Sequence, residues 1–330
     1  LERNMLHRIM VPLDGSTFAE AALPIAFGLA RRDGATVHLV RVHEPPTPVA
    51  GPEGPAMYDP EIDEDLERKG KRYLGVMMAW TGGDDRARAV TAYLHGPAIE
   101  CLSTYVQENA IDLVVMTTHA RGGVSRALLG SVADGLVRYS LAPVLLVPPR
   151  HEAALAPATT PVFRRVLLPV DGGTAGDRMI EHAVAVAGAP GIEYTLLRVV
   201  TAGASSVRAA LPHRGEAPVS RVQRATVQAT LGTKAEGLAA RGLAVRPQVV
   251  VDDDPADGIV RYAAENAFDL VAMATRSRGG LERLLLGSVA DRVLRKAETT
   301  LLLWNPGQQS GVVPVEAPGF FAGVLAPTPS

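Results

Sequence analysis

Short apolar runs alternate with amphipathic segments along the first half of the chain. Five runs of four to seven residues are rich in apolar side chains, and a segment with helical periodicity separates each run from the next. Apolar runs of this length are typical of strands buried on both faces, as in a parallel sheet covered by helices. The pattern predicts strands over 8–13, 36–42, 87–93, 113–117 and 144–147.

The segments between these strands predict helices over 17–31, 62–78, 98–109 and 131–139. Thr17 and Glu20 have the spacing of a capping box that opens the first helix, and Gly34 stops it. Alternating strands and helices with right-handed crossovers form a doubly wound sheet. Such sheets bind ligands beyond the carboxyl ends of their strands, so the loops after strands one, two and four form the candidate site. We interpret Arg41, at the end of strand two, as a solvated charge.

The chain repeats itself once. Residues 121–138 recur as 278–295 with 12 of 18 positions identical, where ordinary residue frequencies give about one or two matches. A repeat offset of 157 residues has the size of a whole domain. The sequence therefore predicts two copies of one α/β domain joined by a proline-rich linker and followed by a loosely ordered tail. The predicted bounds are 1–148 for the first domain, 149–161 for the linker, 162–305 for the second domain and 306–330 for the tail.

Composition and charge narrow the classes of function. The 33 basic and 35 acidic side chains give a net charge of −2, which excludes the electrostatic footprint of a dedicated nucleic-acid binder. The apolar runs are far shorter than the roughly 20 residues of a membrane-spanning helix, and the first residues lack the apolar core of a signal peptide. The single cysteine, Cys101, excludes an internal disulfide and cysteine-rich zinc sites. We expect a cytoplasmic protein that contacts neither nucleic acid nor membrane.

The loop after strand four carries the strongest chemical signal. Gly130 and Ser131 lie immediately before a predicted helix, whose unpaired N–H groups and positive dipole end attract anions. Arg121 and Arg126 can add charge-assisted contacts. From local sequence alone, it is equally consistent that Ser131 only caps the helix.

Asp14 follows strand one and recurs as Asp171 in the second half. A carboxylate at this place can accept a hydrogen bond from a ribose hydroxyl or an adenine amino group. The alternative is a plain turn, because Asp-Gly-Ser is common turn chemistry. The recurrence favours binding only modestly, since two copies can also share a turn.

Sequence motifs of other site classes do not occur. The eight histidines form no His-x-x-x-His pair, so no resident metal site is predicted. The chain has no Walker P-loop, nucleophile elbow or dinucleotide fingerprint, so no catalytic residue is predicted either. His119 is the one candidate base near the loop after strand four.

These features together resemble the universal stress protein family in its tandem form, with two such domains in one chain. The residues that carry the resemblance are 11–16 and 168–171 at strand one, Val42 and Val199 at strand two, and 112–132 with its copy 269–289. The resemblance implies two flavodoxin-like five-stranded sheets with strand order 3-2-1-4-5 and pairing of the fifth strands between the domains. It also implies ATP, or AMP or ADP, at the tips of strands one and four.

The chain departs from the loop that is typical of the family's ATP-binding members, in which three glycines are spaced by two and nine residues and the last precedes Ser or Thr. Only this last Gly-Ser pair is intact in both halves. A side chain at the second glycine position obstructs the bend around the phosphates if that residue needs a positive φ, at a cost of about 1 kcal/mol or more. The replaced positions hold Thr117, Ala120, Ala274 and Ser277.

Three hypotheses follow for the function. The first is a stress-response protein that binds an adenine nucleotide, with Mg²⁺ carried by the nucleotide, and acts by regulation rather than catalysis. The second is a nucleotide-free structural or interaction protein with degenerate phosphate loops, and the third and weakest is a slow ATPase. Pairing of fifth strands within the chain is expected at minimum, and a homodimer as well.

The predicted nucleotide-contacting residues lie at the strand ends and the loop after strand four in each half. In the first half they are Pro12, Asp14, Ser16, Val42, Thr117, Thr118, His119, Ala120, Arg121, Gly122, Arg126, Gly130, Ser131 and Val132. In the second half they are Pro169, Asp171, Gly172, Val199, Ala274, Thr275, Ser277, Arg278, Gly279, Arg283, Gly287, Ser288 and Val289.

Overall fold

In the computed structural model, both halves of the chain contribute to one large sheet. The structure describes residues 5–44, 50–51, 54–55, 60–80, 88–118, 129–148, 162–188, 191–201, 221–275 and 286–307. The predicted linker lies outside these residues, and so does the predicted tail from residue 308 onward.

The first half alternates strands and helices as predicted. Its elements are β1 (Arg8–Pro12), α1 (Thr17–Glu20), α2 (Leu23–Asp33), β2 (Thr36–His43), the short pair β3 (Ala50–Gly51) and β4 (Gly54–Pro55), α3 (Pro60–Trp80), β5 (Arg88–His95), α4 (Ala98–Glu108), β6 (Leu113–Thr117), α5 (Ser131–Tyr139) and β7 (Val144–Val147).

The second half repeats this order, with one helix where the first half has α1 and α2. Its elements are β8 (Arg165–Pro169), α6 (Thr174–Ala187), β9 (Glu193–Val200), α7 (Arg221–Ala239), β10 (Ala244–Val251), α8 (Pro255–Glu265), β11 (Leu270–Ala274), α9 (Ser288–Lys296) and β12 (Thr300–Trp304).

The strand order in the sheet is β10-β9-β8-β11-β12-β7-β6-β1-β2-β5. The short strands β3 and β4 form a separate pair, and without them each half has five major strands. These have the predicted order 3-2-1-4-5, and all strand pairs within each half of the large sheet are parallel. The two halves meet at β7 and β12, which pair antiparallel with Leu302 opposite Leu145. The fifth strands are therefore paired within one chain, as the family resemblance implied. Since this pair is antiparallel, the strands of the two halves point in opposite directions.

Helices cover both faces of the sheet. One apolar core lies under α2, α3, α6 and α7, and a second lies under α4, α5, α8 and α9. Each core contains side chains from both halves, and every residue of β7 and β12 is buried. Near-continuous apolar strands are expected where both faces are covered, which explains why periodicity located them well.

The start of the first helix differs from the prediction. Ser16, not Thr17, is the N-cap of α1, because its Oγ accepts a hydrogen bond from the N–H of Ala19 at 3.2 Å. The predicted single helix is two helices, and α2 carries Pro24 in its first turn. A proline N atom cannot donate to the preceding turn, so helices often begin there. Gly34 ends α2 with a left-handed φ of 72°, as predicted.

The repeat extends to hydrogen bonds that fix the start of strand one. The carboxylate of Asp112 accepts bonds from the backbone N–H groups of His7 and Arg8 at 2.7 and 2.9 Å. Asp269 accepts the equivalent bonds from Arg164 and Arg165 at 2.7 and 3.1 Å. These repeated aspartates lie away from the carboxyl ends of the strands and have a structural role.

Leu302→Ala tests the contribution of the strand pair between the halves. Leu302 is fully buried, and the truncation leaves a cavity at the boundary, so we expect the free energy of unfolding to fall by about 2–5 kcal/mol. Chemical denaturation measures this change, with Val222→Ala on the exposed surface of α7 as the control. A loss no larger than that of the control would show that the boundary is not tightly packed.

The burial of His182 predicts that the protein loses stability as the pH falls. Its ring lies 4.8 Å from the Trp304 ring, and burial, followed by the charge of Arg178, lowers the pKa of His182 to about 4. The unfolded chain therefore takes up this proton first, and stability is lost as the pH falls from 6.5 towards 4. Between pH 7 and 4.5 we expect the native protein to lose about 2 kcal/mol more than His182→Leu does in denaturant titrations. Equal losses would exclude this role.

Candidate functional site

A cavity of about 150 Å³ lies at the carboxyl ends of β1, β2 and β6 in the first half, where the strand order reverses. This is the place where doubly wound sheets bind ligands. Eight of the predicted residues line it: Pro12, Asp14, Ser16, Val42, Thr117, Gly130, Ser131 and Val132. The sequence analysis missed the remaining lining residues, Leu13, Ala19, Val40, Ala98, Leu102, Met116 and Ala133.

The Asp14 turn forms one wall of the cavity. Oδ1 of Asp14 accepts hydrogen bonds from the backbone N–H and the hydroxyl of Ser16 at 2.9 and 2.5 Å. Gly15 has a φ of 85°, and a Cβ atom there would lie 2.6 Å from Nη1 of Arg41. The turn thus holds the Asp14 carboxylate at the end of β1, and the turn and binding interpretations of Asp14 are compatible.

Arg41 is not the solvated charge that the sequence indicated. Its guanidinium lies 5.3 Å from the centre of the Tyr73 ring and packs against Gly15. The hydroxyl of Tyr73 donates to Glu20 at 3.0 Å, and burial raises the pKa of Tyr73. The alternating direction of side chains along β2 turns Arg41 to the α3 face of the sheet, whereas Val40 and Val42 line the cavity.

The amino end of α5 forms the opposite wall. Gly130 is the N-cap residue in an extended conformation, and it provides no side-chain cap. Ser131 is the first residue of the helix, so the alternative in which Ser131 caps it is wrong. The first N–H groups of a helix have no partner within the helix, and here Val132 and Ala133 line the cavity. Helix starts of this kind are suited to binding an anion.

One threonine directly follows β6 and another directly follows β11, the fourth major strand of each half. The N–H of Thr118 donates to Val147, and the N–H of Thr275 donates to Trp304. Thr118 is not among the residues that line the described cavity. The hydroxyl of Thr275 is buried without a hydrogen-bond partner among the described residues. An unpaired buried hydroxyl costs about 1–3 kcal/mol, so a ligand or water that bonds to it would be stabilising.

The residues that replace glycine at the first loop position have no strained backbone. Thr117 and Ala274 are the last residues of β6 and β11, and they pair with Val147 and Trp304. Among the described residues other than glycine, only Ala110 and Ala267 have a positive φ. Glycine is therefore not required at these two positions. Nine further predicted residues lie outside the described part of the chain: His119, Ala120, Arg121, Gly122, Arg126, Ser277, Arg278, Gly279 and Arg283.

Comparison with known proteins identifies the family. The family model described as "Universal stress protein family" matches residues 5–148 and 163–304. The chain belongs to this family, as a tandem member. A universal stress protein of Mycolicibacterium smegmatis is 27% identical over 301 residues, which cover 90% of this chain and 97% of that one. One from Mycobacterium tuberculosis strain H37Rv is 25% identical over 328 residues, covering 92% and 96%.

Solved structures of universal stress proteins show the same fold. A crystal structure from Archaeoglobus fulgidus has a TM-score of 0.67 at 18% identity and covers 92% of this chain and 99% of its own. One from Pseudomonas aeruginosa has a TM-score of 0.61 at 17% identity, covering 93% and 96%. Identities this low support the tandem fold but not a ligand.

The second stress-protein domain carries the same turn and helix start with different surroundings. Pro169 is the last residue of β8, as Pro12 is of β1, and Asp171 and Gly172 follow the strand. Oδ1 of Asp171 accepts a hydrogen bond from the N–H of Gly173 at 2.9 Å. The other described predicted residues lie at equivalent strand ends and at the start of α9: Val199, Ala274, Thr275, Gly287, Ser288 and Val289. Gly173 replaces Ser16, so the hydroxyl that bonds to the first-half aspartate and caps α1 has no counterpart.

Ion pairs join the two helices beside this second site. Arg292 on α9 pairs with Asp254, the N-cap of α8, and Lys296 pairs with Asp257 at 2.5 Å. In the first half the position of Arg292 is held by Gly135, where a Cβ atom would lie 2.5 Å from Cδ1 of Ile99. The first pair of helices is therefore in close apolar contact at this position, whereas the second pair has ion pairs in addition to its apolar contacts. The surroundings of the two strand-end regions differ.

Neither a metal centre nor a membrane segment is found in the ranges that the structure describes. Within them, His, Cys, Asp and Glu side chains form no group of three or more that could hold a metal ion. Of the helices in these ranges, none is both long and apolar enough to cross a membrane.

Asp254→Ala tests the ion-paired helix start in the second half. Partial desolvation opposes ionisation of Asp254, but bonds from the N–H groups of Ala256 and Asp257 and the charge of Arg292 outweigh it and lower its pKa. We expect Asp254→Ala to reduce the free energy of unfolding by about 1 kcal/mol at pH 7. Asp254→Asn keeps an N-cap acceptor and should lose less.

The pH dependence of Asp254 provides a further check on this prediction. A lowered pKa means that the ionised carboxylate stabilises the fold above the ordinary pKa, and that this contribution is lost as the pH falls through the folded value. Denaturation curves should show the native protein and Asp254→Asn converging below about pH 4. A constant difference down to pH 3 would contradict the assignment.

Proposed function

We propose that this protein is a stress-response protein that binds an adenine nucleotide, ATP or its products AMP and ADP, in the first-half cavity. The observation that carries the proposal is the meeting of the Asp14 carboxylate with the uncapped amino end of α5 around one cavity. An anion at the helix end and a hydroxyl or amino group at the carboxylate are the two polar features of a nucleotide.

The dimensions suit a nucleotide that is only partly enclosed. A cavity of about 150 Å³ can hold one flat ring, since cavities of that size bind aromatic molecules, but complete ligand pockets usually measure about 300–1,000 Å³. Val40, Val42, Leu102 and Met116 supply apolar walls for the base. The phosphates would then extend along the α5 amino end, carrying Mg²⁺ with them.

The role of the bound nucleotide is regulatory in this proposal. We assign no catalytic group. The nucleotide-bound state differs from the free state by the contacts that the nucleotide makes with the Asp14 turn and α5. A ligand that binds only the folded protein stabilises it by about 2.7 kcal/mol at one hundred times its dissociation constant. In this proposal a partner protein distinguishes the stabilised bound state from the free state, without turnover of the nucleotide.

Acid extraction and chromatography of one portion of the purified protein first shows whether a nucleotide co-purifies. Isothermal titration calorimetry of the full chain with ATP and Mg²⁺, on a separate portion, then tests the proposal. Asp14→Asn keeps one side-chain oxygen that can accept the turn's hydrogen bonds, but it replaces the other carboxylate oxygen with an NH₂ group, which donates. We therefore expect the affinity for ATP to fall about 10–100-fold. Asp171→Asn makes the same change in the second half and is the matched control. It should leave first-half binding within about twofold.

The alternative function is a nucleotide-free interaction protein with the same fold. The small cavity volume favours it. It predicts no extracted nucleotide, no heat of ATP binding and no thermal shift. That combination would overturn the nucleotide proposal.

A further inference from the structure

Two helices begin at the wall of the first-half cavity. Ala98, the first residue of α4, and Ser131, the first residue of α5, both line it. The first N–H groups of a helix have no partner within the helix, and the helix dipole makes this end attractive to anions. A nucleotide carries its phosphates at one end only. A cavity with two equally open helix starts would therefore bind a nucleotide in either of two orientations.

A carboxylate closes the start of α4. Glu44 directly follows β2, and its Oε1 accepts a hydrogen bond from the backbone N–H of Ala98 at 2.6 Å. The N-cap residue, Pro97, provides no side-chain cap, so the acceptor comes from a residue 54 positions away. The charge of Glu44 thus lies at the positive end of the α4 dipole, on the side of the cavity that Val42 and Ala98 line. An anion at this place would lose an N–H donor and meet a like charge.

The start of α5 has the opposite character. Its N-cap residue, Gly130, has an extended backbone and provides no side-chain cap. Asp134 lies in the first turn of α5, but its carboxylate pairs with Arg138 one turn later, at 2.7 Å. The arrangement favours an anion at α5 and disfavours one at α4.

The second half has the same contrast with different residues. Asp254 is the N-cap of α8, the counterpart of α4, and its carboxylate accepts bonds from two N–H groups of the first turn at 2.8 and 3.3 Å. The counterpart of α5 is α9, which begins after Gly287, again without a side-chain cap. Thr201 takes the position of Glu44 at the repeat offset of 157 residues, so the two carboxylates do not correspond in sequence. A general need for helix caps would not distinguish the two helices of each half in this way.

We propose that Glu44 is a specificity-determining residue that excludes anionic groups from the α4 side of the first-half cavity. A nucleotide is then bound in one orientation, with its phosphates at α5 and its base against Val42 and Leu102. The ligand class is an uncharged ring with anionic groups at one end only. This inference deepens the proposed nucleotide function and rests on it.

Isothermal titration calorimetry of the full chain tests the proposal with two probes, adenosine for the base end and tripolyphosphate for the phosphate end. Glu44→Gln keeps an oxygen for the N–H of Ala98 and removes only the charge. Glu44 is exposed, so solvent and salt screen its charge. We expect the affinity for tripolyphosphate to rise about 3–10-fold and that for adenosine to stay within about twofold.

Glu100→Gln is the matched control. It removes the same charge from an exposed position in the first turn of the same helix. We expect it to change the affinity for tripolyphosphate less than twofold. If Glu44 only stabilised α4, its substitution would weaken both probes or neither, and would not strengthen the binding of tripolyphosphate alone.

Hydrogen–deuterium exchange then locates the anion. In the native protein, tripolyphosphate should slow exchange in a peptide covering 130–133 and not in one covering 98–101. In Glu44→Ala, which also frees the N–H of Ala98, we expect it to slow exchange in both peptides. Each variant is compared with and without the probe, so that fraying of α4 in the variant does not count as binding.

The outcomes separate this proposal from the function on which it rests. If the native protein binds ATP, the proposal is overturned by an unchanged affinity for tripolyphosphate in both Glu44 variants, or by protection of 98–101 in the native protein. If the native protein does not bind ATP, the nucleotide function fails, and the orientation proposed for the nucleotide fails with it.

Discussion

The antiparallel pairing of β7 with β12 is the interaction on which the rest of this structure depends. Each of these strands would be an exposed apolar edge in a separate domain, and such edges associate with other chains. Their pairing buries Leu145 and Leu302 completely and joins two five-stranded sheets into one. Both apolar cores then continue across the boundary, and Arg32 of the first half donates to the carbonyl of Val186 in the second at 2.6 Å.

The direction of this pair also separates the two sites. Since the strands of the two halves run in opposite directions, the carboxyl end of β1 lies at one edge of the sheet and that of β8 at the other. Each site is therefore built from its own half, and substitutions at one need not affect the other. Ser16 and Gly135 in the first half correspond to Gly173 and Arg292 in the second, so the surroundings of the two strand-end regions differ chemically.

Sequence patterns predicted the fold better than the site. Buried parallel strands such as 113–117 are continuous apolar runs, so periodicity alone located them, and the repeat located their copies. The Ser16 cap and the packing of Arg41 on Tyr73 were missed because they depend on backbone φ and on contacts between distant elements. The apolar walls of the cavity were missed for a similar reason, since Leu102 and Met116 look like ordinary core residues until the fold brings them to a strand end.

The central claim is that a nucleotide occupies the cavity between the Asp14 turn and α5. Hydrogen–deuterium exchange with and without ATP and Mg²⁺ tests it most directly, because it locates binding along the chain. The account predicts slower exchange in peptides that cover 12–16 and 130–133, with the edge strand β10 unchanged as an internal reference. Unchanged exchange in both peptides at saturating ATP, or protection confined to other parts of the chain, would contradict it.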